Sequence, residues 1–193
     1  CYYTSNVKKY MLRLFLFAII SEIPFNLIMG SSVFYPFHQN VLWTFLLGVL
    51  SIQIIEKAKK KQKKWISFFV VCLVLLMDFL LGTITMVDYN AAGILMVLLF
   101  YFFRKKTWIS FAAQLVGLYY LNVVMLGNLY YPVTILGHHF EIAQQSFALL
   151  ALIPIWLYHG EQGYHSKWFK YFCYAFYPVH LLILVVIWQW RIR

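Results

Sequence analysis

The chain has 193 residues, of which 63% are hydrophobic and only 11% charged. Globular domains run about 45–50% apolar and about 25% charged, so a soluble fold is excluded and the chain reads as an all-α, polytopic transmembrane helix bundle. Its 16 Lys+Arg against 6 Asp+Glu do not signal nucleic acid, because they cluster between apolar runs, where loop orientation and anionic lipid account for them.

A bilayer core takes about 20 apolar residues per helix, and about seven spans are predicted, at roughly 10–30, 38–55, 66–83, 87–103, 107–126, 141–158 and 171–190. The opening "NVKKY", then "KAKKKQKK" (57–64), "RKK" (104–106) and "HGEQGYHSKWFK" (159–170) carry the cations. The connections "GSSVFYPF", "TMVD" and "GNLYYPVTILGHHFE" carry no Lys or Arg. With the basic loops in the cytoplasm every span alternates: 1–9 and 56–65 lie inside, 30–37 and 127–140 outside, and the chain end outside. The terminal "RIR" runs weakly against this pattern. Cys1, Cys72 and Cys173 have neither disulfide nor metal-ligand spacing and read as small hydrophobes.

Within the spans, polar residues are sparse enough to be informative. Counted at 1.5 Å per residue from the nearest basic loop, Glu22 lies about 13 Å deep, His180 about 15 Å and Gln114 about 12 Å, one layer near mid-membrane. Ionisable groups at such depth face a bundle interior or a watery cavity. Pro24 and Pro178 deprive the carbonyls of Ile20 and Tyr174 of their helical partners, and Asn26 sits one turn beyond Glu22. An outer layer follows from "FYPFHQN" (34–40), "VDYNAAG" (87–93), Asp78 and Asn122. Together these outline a polar path from the basic face to the far side. Glu22 at matching depth to His180 predicts a Glu–His pair that orients the imidazole. The structural alternatives are a Glu22 that only locks two helices and a His38 that only belongs to an interfacial aromatic rim. His138 with His139, and His159, His165 with Glu161, do not complete a metal-ligand pattern, so no metal is expected.

The stretches "SEIPFNL", "FYPFHQNVLWTFLLG", "DYNAAG", "YHGEQG" and "FYPVHLLIL", in that order and spacing, resemble the TraX family of membrane proteins, and the likeness covers almost the whole chain. The family prototype acetylates the N-terminus of conjugative pilin in the bacterial inner membrane. The family is also distantly similar to polytopic acyltransferases such as heparan-glucosaminide acetyltransferase. The resemblance implies one TraX-like acyltransferase domain over 1–193, truncated at its start, with two further upstream spans of which the first bears an Asp-His pair. It implies acetyl-CoA as acyl donor and a pilin-like or other membrane-delivered amine as acceptor. His38, Glu22 and His180 are then the candidate bases, and Tyr35, Gln39 and Asn40 candidate oxyanion donors. Asp88, Tyr89 and Asn26 are further substrate-side candidates. Lys8, Lys9, Arg13, Glu161, Gly163, Lys167 and Lys170 are candidates for holding the CoA moiety at the cytoplasmic mouth. His159 and Gln162 depart from the family pattern, which has Asn and a basic residue there; the second departure removes a phosphate contact. Two other function classes remain open: a transporter or channel using the polar path, and a non-catalytic accessory protein whose polar residues serve helix packing.

Overall fold

The computed structural model describes residues 6–135, 138–161, 163, 164 and 166–192, with the side chains of Ile135, Lys167, Arg191 and Ile192 outside that description. Cys1, Gln162 and His165 lie outside the described residues. The chain forms two compact units, Cys1–Ile94 with Gln162–Arg193, and Leu95–Glu161.

In the first unit, α1 (Val7–Gly30) is capped by Asn6, whose side chain accepts the Lys9 N–H. Its chain then leaves through Ser31 in the left-handed region. Next come α2 (Val41–Lys61) and α3 (Lys64–Ile84), which together absorb most of "KAKKKQKK". That stretch, expected to be a loop, is helical up to Lys61 and again from Lys64. Lysine is a good helix former, and Lys59, Lys60 and Lys61 sit where cations offset the negative end of the α2 dipole.

α1 packs against α2 and against α7 (Lys167–Ile192), and α2 against α3. Side-chain contacts give the directions. Phe15 meets Trp43, and a core of Leu14, Leu46 and Val49 lies farther along, so α1 and α2 are antiparallel. Ser51 bonds Asp78 and Ser67 bonds the Ala58 carbonyl, so α2 and α3 are antiparallel too. Arg13 and Phe17 both lie on the Tyr174 ring, while Tyr177 comes within electrostatic reach of Glu22. Hence α1 and α7 run parallel. Parallel packing requires an odd number of membrane crossings between them. Lys8, Lys9, the α2–α3 turn and Lys170 therefore share one end of this unit, opposite residues 31–40 and 85–89.

α4 (Asn90–Phe102) begins in the first unit and ends in the second. In the second unit, α5 (Trp108–Tyr119) continues into a π-helical stretch, Tyr120–Met125. There the Asn122 amide takes the Leu118 carbonyl at 2.9 Å, competing with the backbone ladder. β1 (Tyr130–Ile135) and β2 (His138–Ala143) form an antiparallel pair, followed by a 3-10 stretch, Gln144–Ala151, and α6 (Leu152–Leu157). Within the expected outer connection 127–140, residues 130–135 and 138–140 are strand, and the span expected to begin at 141 is still strand through Ala143. Val133 and Thr134 are β-branched, and Pro132 is tolerated in a two-stranded edge. Thr134 and His139 are cross-strand partners bonded at 2.9 Å.

Among the described residues, five helical segments are long and apolar enough to cross a membrane: Val7–Gly30, Val41–Lys61, Lys64–Ile84, Trp108–Met125 and Trp168–Trp190. The fourth and sixth expected spans, 87–103 and 141–158, correspond to shorter apolar segments, Asn90–Phe102 and Gln144–Leu157. Both lose length at their first residues, which the loop 85–89 and strand β2 hold outside the helix.

Candidate active site

The three stretches that stood out in the sequence meet at the end of the first unit opposite the lysines. Asn40 is their hinge. Fully buried, it caps α2 by accepting the Leu42 N–H at 3.1 Å. Its amide nitrogen donates to the Ala18 carbonyl at 2.9 Å and to Glu22 Oε2 at 2.5 Å. Trp43 Nε1, less than one turn further along α2, donates to the same oxygen at 3.1 Å. One carboxylate oxygen of Glu22 is thereby held by two donors from the neighbouring helix. Its other oxygen, Oε1, is buried with no hydrogen-bond partner among the described residues.

His38 and Asp88 are brought together by a short parallel bridge between Gln39 and Val87. Gln39 N–H donates to the Met86 carbonyl at 2.9 Å, and Asp88 N–H to the Gln39 carbonyl at 2.8 Å. The His38 ring then lies with Nε2 3.3 Å from Asp88 Oδ1, both side chains part-exposed, and stacks on Phe25 of α1 at 5.6 Å. Because the carboxylate needs a donor, Nε2 carries the hydrogen in the neutral ring and Nδ1 presents its lone pair.

The loop holding Asp88 is over-determined. Met86, Tyr89 and Asn90 adopt left-handed φ of 50°, 63° and 47°, a strain that persists only where surroundings enforce it. The enforcing contacts are Thr44 Oγ1 on the Asp88 carbonyl at 2.8 Å, and two glycines. A Cβ on Gly93 would stand 2.7 Å from Thr44 Cγ2 and 3.0 Å from the Asp88 carbonyl oxygen. One on Gly82 would stand 2.7 Å from the backbone N and Cα of Ala91. Tyr89, in this loop, has its phenol pushed up by burial and then by the Asp88 charge, so its hydroxyl keeps its proton.

The same chain satisfies the family model described as TraX protein, with residues 2–188 matched. The chain belongs to the TraX family. That family comprises conjugation-associated, pilin-related membrane proteins. No curated protein and no solved structure matches the chain.

Several expected site residues of this TraX-family chain take roles different from those the sequence suggested. His180 does not pair with Glu22: its Nδ1 faces the Phe176 carbonyl at 3.0 Å and its ring lies on Phe176 and Tyr177. Equal depth did not supply equal azimuth. Asn40 cannot serve as an oxyanion donor, since both amide hydrogens are committed to Ala18 and Glu22. Asn26 donates from its amide nitrogen to the Val33 carbonyl at 3.1 Å. Gln39 turns its amide to the Pro36 carbonyl at 3.3 Å. Tyr35 packs against Gly30, whose missing side chain makes room for the ring. Gln114 belongs to the second unit. Within the second unit it donates to the Phe103 carbonyl and accepts from Trp156 Nε1, each at 2.8 Å. Lys106 fastens the same segment through the carbonyls of Trp156 and Tyr158. Asp78 is buried against Ser51 at 2.7 Å and pins α2 to α3.

Among the candidate CoA contacts, Lys8, Lys9 and Lys170 are exposed at the N-terminal ends of the parallel helices α1 and α7, and Arg13 lies over Tyr174 at 5.4 Å. Glu161, whose carbonyl accepts the Tyr158 hydroxyl, belongs to the second unit. Gly163 is exposed, and the side chain of Lys167 lies outside the described residues.

Two contributors went unnoticed in the sequence. Trp43 sits within a quoted stretch, three residues past Asn40, where an indole N–H reaches back over the helix start. Tyr177 precedes the α7 proline; its hydroxyl lies against the Val41 backbone at the start of α2, within electrostatic reach of Asp88, Glu22 and Tyr89. A Tyr three residues before His180 shares its helix face, and that spacing was the available signal.

Proposed function

We propose that this chain is an integral inner-membrane acetyltransferase, moving an acetyl group from cytoplasmic acetyl-CoA to a primary amine such as a pilin N-terminus. The carrying observation is the His38–Asp88 pair, an imidazole oriented by a carboxylate on one nitrogen and, among the described residues, without a hydrogen-bond partner on the other. This is the arrangement of a general base, a role worth about 10²–10⁴-fold in rate. Acetyl-CoA supplies a thioester whose C–S bond breaks as the N–C bond forms.

The chain's own part is proton handling and charge stabilisation. His38 Nδ1 takes the proton that the attacking amine sheds, Asp88 stabilises the resulting imidazolium, and the proton is returned to the departing thiolate. Negative charge developing on the carbonyl oxygen is favoured near the N-terminus of α2, where the Tyr177 hydroxyl stands. The exposed Lys8, Lys9 and Lys170 offer cations to a polyanionic donor at the opposite, lysine-bearing end.

The test uses proteoliposomes, isotope-labelled acetyl-CoA and a peptide amine. His38→Gln and Asp88→Asn should each lower acetyl transfer by about two orders of magnitude while donor binding is retained. Ion or solute flux through the same liposomes without any CoA binding would defeat the enzymatic reading in favour of a transporter.

A further inference from the structure

We infer that Glu22 and Asn26 form a receptor for a primary ammonium, the subsite in which the acceptor amine is held before it reaches His38. The inference rests on the acetyl-transfer reading and deepens it by assigning the acceptor's binding group.

The evidence is a set of oxygens without donors. Asn26 is 4% exposed, and its Oδ1 has no hydrogen-bond partner among the described residues. The amide cannot turn over to relieve this, because its nitrogen already donates to the Val33 carbonyl, and a flip would set oxygen against oxygen. Glu22 Oε1 is orphaned in the same way, although Oε2 has two donors. Spaced by four residues on α1, the two side chains share one helix face. A buried acceptor left unpaired is costly, and a carboxylate without a countercation more so. Among the described residues no Lys or Arg pairs with Glu22; Arg13, nine positions earlier, lies over Tyr174.

What these oxygens lack is a small cation carrying several hydrogens. A primary ammonium has three N–H donors, enough for both oxygens with one to spare. A hydroxyl offers one donor and no charge. The location suits an acceptor, because Phe25, between Glu22 and Asn26, carries the His38 ring, and Asn40, two residues past His38, grips Glu22. Loss of one ammonium proton to solvent then gives the neutral amine that the His38 step requires. An alkali cation shares the charge and the preference for oxygen, and the experiment separates the two.

Binding is measured on the full chain in lipid nanodiscs without acetyl-CoA, so that failure of the enzymatic reading does not decide this outcome. The probes are a short peptide with a free α-amine, the same peptide N-acetylated, and sodium ion. The free peptide should bind, the acetylated one at least about tenfold more weakly, and sodium should not compete at equal concentration. Glu22→Gln should weaken the free peptide about tenfold or more, while Glu22→Asp, which keeps the carboxylate, should weaken it less. Should Glu22→Gln not fold, Asn26→Ala, which removes the orphaned Oδ1, should weaken the free peptide. Equal binding of both peptides, sodium binding in preference to the amine, or no effect of either substitution would overturn the assignment. Acetyl transfer with an unchanged acceptor KM in Glu22→Gln would also overturn it while leaving the acetyltransferase standing.

Discussion

Replacing Asn40 with Ala removes three hydrogen bonds from a fully buried side chain: the cap on Leu42, the bond to the Ala18 carbonyl and the bond to Glu22. Loss of the cap costs about 1 kcal/mol. Loss of a bond to a carboxylate costs about 1.5–3 kcal/mol, less here because Trp43 still holds Glu22 Oε2. The Ala18 carbonyl loses a contact between helices, worth about 0.6 kcal/mol on the membrane-protein average. The expected total is about 3–4 kcal/mol, most of it holding α1 against α2. Asn40→Asp separates the terms. It keeps the capping oxygen but leaves no hydrogen to donate to Glu22 or to the Ala18 carbonyl and sets a second carboxylate against the first, so it should cost at least as much as Asn40→Ala. Reversible unfolding in mixed micelles, followed by helicity, reads both variants. A loss below about 1 kcal/mol in either variant would show that the network does not fasten these helices.

Gly82→Ala should cost about 1–3 kcal/mol, because its new methyl meets the Ala91 backbone at 2.7 Å, whereas the methyl added in Gly163→Ala meets no described atom within 4 Å and should change stability by no more than about 0.5 kcal/mol; unfolding midpoints at fixed lipid compare them. Single cysteines at Ser31 and Gln62, in a background lacking Cys1, Cys72 and Cys173, should label from opposite sides of a sealed vesicle, and labelling from one side would refute the antiparallel course of α1 and α2.

Much was legible in one dimension. Apolar runs of about 20 residues and the segregation of cations to alternate connections depend only on local composition, because the bilayer fixes the length and the charge of each segment independently of its neighbours. The parallel course of α1 and α7 agrees with the alternation read from loop charge. The stretches around Glu22, His38 and Asp88 were also legible, since a carboxylate or proline within an apolar run has no lipid-facing explanation. Partner choice was not. Counting residues from a basic loop gives height along the membrane normal, but the angle around each helix is set by packing. Glu22 and His180 therefore match in depth and still bond different groups, while Asp88, expected on the substrate side, became the partner of His38. Helix ends were equally hidden, because the bridge from Gln39 to Val87 and the strand pairing at 138–143 take residues that apolar character alone would give to a helix. Hydrophobicity determines that a segment enters the membrane. Only contacts between residues far apart in sequence determine what its few polar groups touch once they are there.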